Sequence, residues 1–292
     1  MSLKVWMNGE LVAGEDAKIG VYDHGLLYGD GVFEGIRTYG GKIFRLAEHM
    51  DRLYSSAEAI RLVIPYTPQQ LSEAIYETMK ANGQPEAYIR LVVTRGVGDL
   101  GVDPITTKEP TVFIITDKIA LFPKEMYDKG VSIITAKTIR TPAQSLKPKV
   151  KSLNYLNNIL AKIEATDVGV EEAVMLNYEG YVTECTADNI FIVRDGKLLT
   201  PPLNAGFLEG ITRDCVLELA GESGIEADQT NLLLEDLYAA DECFLTGTGA
   251  EIMPVIKVDG RVIGSGEPGP ITKGLIESFH KYVNSQGHSP HC

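Results

Sequence analysis

The sequence predicts an α/β (α+β) protein built as two domains with mixed sheets. Three observations carry that expectation. Short apolar strands alternate with helically spaced segments along the chain, and glycine-containing turn pairs recur between β-rich runs. A chain of 292 residues with 44% hydrophobic content is also long enough for two cores, at roughly 100 to 200 residues per domain.

The opening MSLKVWMNGELV reads as a strand and turn, with no basic start leading into an apolar stretch as in a signal peptide. Asn8-Gly9, Gly40-Gly41, Glu179-Gly180, Asp195-Gly196 and Asp259-Gly260 are hairpin signals, so much of the sheet structure should be antiparallel or mixed. Helical spacing runs through Leu46, Met50, Leu53, Ala57 and Ile60. It recurs from Leu71 to Met79, after the capping pair Thr67-Pro68, and from Leu156 to Ile163, ending near Gly169. Further helices are expected at about 211–223 and 271–284. The stretch DKIALFPKEMYDKG lies between the strands TVFIIT and VSIITA and reads as a domain linker. The expected organisation is a small N-terminal α/β domain over 1–118, a linker over 119–129 and a larger C-terminal domain over 130–292, with a cleft between them.

A formal net charge of −13 argues against nucleic acid or an anionic membrane surface as a partner, so an anionic ligand would need a local pocket of cations and amide dipoles. No window approaches the ~18 uninterrupted apolar residues of a membrane span. Cys185, Cys215, Cys243 and Cys292 are scattered without paired spacing, which argues against a disulfide framework or a zinc site and for reduced thiols in the cytoplasm.

Candidate chemistry gathers in four places. Lys147, Lys149 and Lys151 precede a helical run, where either one of them reacts or all three are solvated charges. Glu184 lies in the strand-like GYVTECTADNIFIV amid small and apolar residues. FLEGITRD opens a helix at Gly210-Ile211-Thr212, whose free amides would accept a phosphate, and FLTGTGAEI offers a second anion nest with Thr246 and Thr248. In GDGVFEGIRTY the two-residue period sets Phe33, Gly35 and Arg37 on one face, and EAYIRLVV sets Tyr88 and Arg90 together. An arginine in an apolar strand needs a partner, either a structural carboxylate or a ligand.

The segments YGDGVFEGIR, HMDRL, KSLNYLNN, GYVTECTADNIF, LEGITRD and TGTGAEI resemble, in order and across residues 28–252, the motif series of the class IV, or fold-type IV, pyridoxal-phosphate aminotransferases. Within that family they are most similar to the branched-chain amino acid aminotransferases. The resemblance implies an active site in the interdomain cleft, pyridoxal 5′-phosphate as cofactor, and transamination of leucine, isoleucine and valine with 2-oxoglutarate. It makes Lys151 the lysine that carries the cofactor, its ammonium disfavoured beside a helix N-terminus and a cationic neighbour. Lys147 and Lys149 keep the solvated reading. Glu184 would pair with the pyridine nitrogen and Tyr155 with the phenolic oxygen. Arg52, Gly210, Ile211, Thr212 and Thr248 would hold the phosphate, and Leu208 would pack against the ring.

For substrates, the resemblance assigns Arg90 to the glutamate side-chain carboxylate and Tyr28, Phe33 and Tyr88 to the aliphatic pocket, with Gly35 and Arg37 in the same wall. The α-carboxylate would meet Thr248, Gly249 and Ala250. Leu100 and Val102, in GVGDLGVDP, would reach the pocket of a partner subunit and so imply a homodimer. An aromatic residue common in the interdomain loop is replaced near Leu121. D-amino acid aminotransferases and a lyase acting on an aminated chorismate share the fold. Phe33 to Arg37 and Tyr88 to Arg90 follow the branched-chain pattern, and the carboxylate trap of the D-enzymes is not evident.

Overall fold

Each of the five hairpin signals turns the chain back between antiparallel strands. Asn8, Asp195 and Asp259 take positive φ values of 49°, 51° and 52°, and each is followed by a glycine that does the same. These are the left-handed turns whose twist suits a two-residue hairpin. The computed structural model describes residues 3–118 and 122–285, and it divides into two compact units.

The first unit contains β1 (Lys4–Met7), β2 (Glu10–Ala13), α1 (His24–Tyr28), β3 (Gly31–Tyr39), β4 (Lys42–Ile43), α2 (Leu46–Ala59), α3 (Pro68–Asn82), β5 (Tyr88–Thr94) and β6 (Thr111–Asp117). Among the described residues its strands form one antiparallel sheet in the order β2-β1-β6-β5-β3-β4. Alternate residues Val32, Ile36, Ile89, Leu91, Val93, Val112 and Ile114 face a core completed by Leu46, Met50 and Leu53 of α2 and Leu71, Ile75 and Met79 of α3. Burying each such side chain contributes roughly 1.5–3 kcal/mol. The start of α3 is fixed locally, because Thr67 Oγ1 accepts from Gln70 N at 3.2 Å while Gln70 Oε1 accepts from Thr67 N at 2.8 Å.

The second unit holds α4 (Lys124–Lys129), β7 (Val131–Thr135), α5 (Leu156–Asp167), β8 (Glu172–Leu176), β9 (Val182–Cys185), β10 (Asn189–Arg194), β11 (Lys197–Thr200), α6 (Ile211–Glu222), β12 (Ala227–Gln229), α7 (Leu234–Tyr238), β13 (Glu242–Gly247), β14 (Glu251–Val258), β15 (Arg261–Val262) and most of α8 (Pro270–Ser285). Its sheet is mixed, in the order β12-β11-β10-β13-β14-β7-β8-β9 with β15 on β14, and β7 runs parallel to both β14 and β8. None of the helices among the described residues is long and apolar enough to cross a membrane.

Two features of the organisation differ from the sequence reading. The stretch expected as a linker contains α4, and Phe122, Met126 and Tyr127 pack on the core of the second unit. Residues 119–121, including Leu121, lie outside the described residues, as does Cys292. The C-terminal domain is also not one continuous stretch, since Val150–Asn154 and the end of α8 from Val283 group with the first unit. The cause at Val150–Asn154 is strand pairing. Phe33 N donates to Lys151 O at 3.0 Å, Leu153 N donates to Gly31 O at 2.9 Å, and Val32 bridges Ser152.

Candidate active site

In the first unit, β3 and β5 build one wall. The register sets Phe33 opposite Val92, Gly35 opposite Arg90 and Arg37 opposite Tyr88, so these six residues share the sheet face away from the core. Arg90 Nη2 donates to Tyr88 Oη at 2.9 Å, and the guanidinium lies 4.7 Å from the Phe33 ring centre and 5.4 Å from that of Tyr88. Among the described residues no carboxylate pairs with Arg90. Gly35 is glycine for space: a Cβ there would run into the Tyr88 hydroxyl. The Arg37 guanidinium stacks 4.5 Å over Tyr39, two residues along the same strand face.

Lys151 lies at the edge of this wall. Its backbone N donates to Ser56 Oγ of α2 at 3.1 Å, and its Nζ stands 4.7 Å from the centre of the Phe33 ring. The lysine is therefore placed by an extended segment docked on β3. The first helical turn of α5 begins at Leu156, further along the chain than Lys151. Lys147 and Lys149 are exposed, whereas Lys151 is half-buried.

On the opposite face of β3, Glu34 points into the core. It accepts from Arg52 Nε and Nη2, both at 2.8 Å, and pairs with His49 Nδ1 at 2.7 Å. Arg52 is thus a guanidinium aimed by an interior carboxylate. Burial alone would raise the Glu34 pKa, but Arg52, with a smaller share from His49, brings it down to about 2. Burial lowers the His49 pKa against the opposing pull of Glu34. The unfolded chain therefore takes up protons at His49 below about 6.5 and at Glu34 below about 4.5 that the native protein resists. Stability supplied by both groups is complete near neutral pH and is lost as pH falls, with roughly 3 kcal/mol attached to Glu34. The melting temperature should accordingly decline below about pH 6.5 and more steeply below about pH 4.5, with His49→Gln removing the first decline. A flat profile from pH 7 to 4 in calorimetry would contradict this.

In the second unit, Glu184 on β9 is 5% exposed. Its Oε1 pairs with Arg140 Nη2 at 2.8 Å, and its Oε2 accepts from Leu208 N at 3.2 Å. Arg140 Nη1 reaches Asn158 Oδ1 at 3.1 Å in the first turn of α5, whose capping residue is Tyr155. Gly210 caps α6 without a side-chain hydrogen bond, leaving the amides at Ile211 and Thr212 to other acceptors. Thr248 and Gly249 form the turn between β13 and β14, next to buried Ala250. Thr246 Oγ1, beside that turn, is buried with no hydrogen-bond partner among the described residues.

Leu100 and Val102 are 74% and 81% exposed. Their loop is pinned at two points, by Tyr28 Oη accepting from Gly101 N at 3.0 Å and by His24 Nε2 against Asp99 O at 2.9 Å. Sequence reasoning missed Glu34, His49 and Arg140. Glu34 did carry a signal, being a charged residue at a core-facing position of an apolar strand. Arg140 carried none, because its partner lies 44 positions away (184 − 140).

The sequence profile of the class IV amino-transferases matches residues 31–258. A Methanocaldococcus jannaschii protein provisionally named a branched-chain-amino-acid aminotransferase is 52% identical over 277 residues, 95% of each chain. The crystal structure of the Escherichia coli branched-chain amino acid aminotransferase superposes with a TM-score of 0.95 at 36% identity, covering 100% of this chain and 98% of that one. The branched-chain amino acid aminotransferase from Thermobaculum terrenum, in its PLP-containing holo-form, gives 0.88 at 32% identity, over 97% and 94%.

Proposed function

The chain belongs to the class IV aminotransferases, and from that premise we propose that it moves amino groups from leucine, isoleucine and valine to 2-oxoglutarate, giving branched-chain 2-oxo acids and L-glutamate. The observation that carries this reading is the make-up of the β3 and β5 face turned away from the core. It combines apolar and aromatic surface from Phe33, Tyr88 and Val92 with one arginine, Arg90, that lacks a carboxylate of its own among the described residues. A neutral aliphatic side chain and a glutamate side chain can both be accommodated there.

The cofactor is pyridoxal 5′-phosphate, and the residues present fit it. The side-chain-free cap of α6 and the buried Thr246 hydroxyl, unpartnered among the described residues, suit a phosphate, Glu184 suits a protonated ring nitrogen, and Lys151 supplies an amine. In this reading Arg52, Gly210, Ile211, Thr212 and Thr248 would hold the phosphate, Tyr155 would bond the phenolic oxygen and Leu208 would pack on the ring. The bound cofactor supplies an electron sink for the amino acid's α-carbon. Lys151 Nζ removes the α-proton and returns it. Glu184 would pair with the ring nitrogen, with Arg140 fixing the orientation of its carboxyl group. The turn at Thr248, Gly249 and Ala250 binds the α-carboxylate, while Arg37 supports the pocket wall.

The same reading makes the enzyme a cytoplasmic homodimer, a second copy covering Leu100 and Val102, and a monomer in sedimentation would count against it. A panel of amino donors with 2-oxoglutarate tests the substrate class, and preference for D-alanine would overturn it. Arg90→Met probes the dual pocket. Hydrogen bonds to charged partners are worth roughly 1.5–3 kcal/mol, so kcat/KM for glutamate and 2-oxoglutarate should fall at least about tenfold. The leucine half-reaction should fall much less. Equal losses in a variant with unchanged thermal unfolding would mean that Arg90 holds the α-carboxylate or is structural.

A further inference from the structure

Two neighbouring side chains after β9 reach two different glycines. Asn189 Nδ2 donates to the carbonyl of Leu208 at 2.9 Å, and its Oδ1 occupies the space that a Cβ on Gly210 would need. Asp188 stands in the same relation to Gly247, at the head of the turn carrying Thr248. Both side chains are buried, at 8% exposure for Asp188 and 6% for Asn189. Gly210 has φ −88° and ψ 129°, an extended conformation open to any residue. Its lack of a side chain therefore answers to the Asn189 contact and not to backbone strain. The strand pairing of Asn189 with Thr246 is main-chain and leaves its carboxamide to these two contacts.

We propose that Asn189 is a positioning residue that sets the spacing between the Leu208 wall and the phosphate-accepting start of α6. The inference rests on the cofactor reading above. The two ends of one carboxamide act in opposite senses on the short connection from Leu208 to Gly210. The hydrogen bond to the Leu208 carbonyl keeps the connection from opening, and the Oδ1 that fills the Cβ space of Gly210 keeps it from closing. A ligand gripped at both its ring and its phosphate depends on that spacing, and one lacking the phosphate does not.

The test uses the full-length chain freed of cofactor and titrated with pyridoxal 5′-phosphate and with pyridoxal, which has no phosphate. Asn189→Ala should weaken the phosphorylated form about tenfold and pyridoxal by less than about threefold. Asn189→Asp, the same size but without the donor, should do the same or worse, and serves if the alanine variant folds poorly. Gly210→Ala should cost at least about tenfold in the native background. It should cost little when added to Asn189→Ala, because the obstructing oxygen is gone. Equal losses for both ligands, or additive effects of the two substitutions, would overturn the positioning role alone. Failure of the native chain to take up pyridoxal 5′-phosphate would overturn the cofactor reading and this inference with it.

Discussion

Lys151→Ala should give a folded protein whose transamination falls by roughly a hundred- to ten-thousandfold, the range for losing a positioned group that transfers a proton. Folding should survive because the segment is held through its backbone, by Phe33 N, Ser56 Oγ and Gly31 O, and alanine keeps all three contacts. The Nζ is lost, and with it the one lysine of the three that is half-buried against an aromatic wall. In the native enzyme, which should be yellow, borohydride should fix the cofactor's mass on the peptide containing Lys151. Mass found on Lys147 or Lys149, or substantial turnover in the alanine variant, would refute the assignment.

Glu184→Gln should retain cofactor and lose roughly a hundred- to thousandfold in turnover. A carboxylate can accept from Arg140 and from Leu208 N at its two oxygens, as Glu184 does. A carboxamide has one acceptor oxygen, so glutamine must face one of those donors with an NH₂ group. It also lacks the charge that favours a protonated ring nitrogen. Cofactor content measured by absorbance, together with rates of the isolated leucine half-reaction, separates loss of binding from loss of chemistry. Near-normal rates would mean that another group protonates the ring.

The hairpins and helices were legible because they obey local rules. Asp195-Gly196 and Asp259-Gly260 specify their own backbone angles, and Thr67 with Gln70 closes its own capping box. The wall of Phe33, Gly35, Arg37, Tyr88 and Arg90 followed from the period of two, and the β3–β5 register sets these residues on one face. What escaped depended on distant pairing. Nothing near Lys151 announces that its segment docks on β3, since the stretch is short, interrupted by Pro148 and adjacent to a helix. Glu34 was overlooked for a different reason. It was read within a motif for the open face, although its position in the alternation aims it at His49 and Arg52.

That alternation governs how β3 can change. Substitutions act on one face at a time, so the wall carrying Phe33 and Gly35 can be changed while the Glu34 and Arg52 pair is left alone. An insertion or deletion of one residue has no such freedom. Placed before Phe33, it would turn Glu34 outward and drive Phe33 and Arg37 towards α2, costing the proposed substrate wall and the support of Arg52 together. The strand is therefore open to drift in identity and closed to drift in length, and new substrate preferences in this scaffold should arise by replacement within β3 and by length changes only in the loops beyond it.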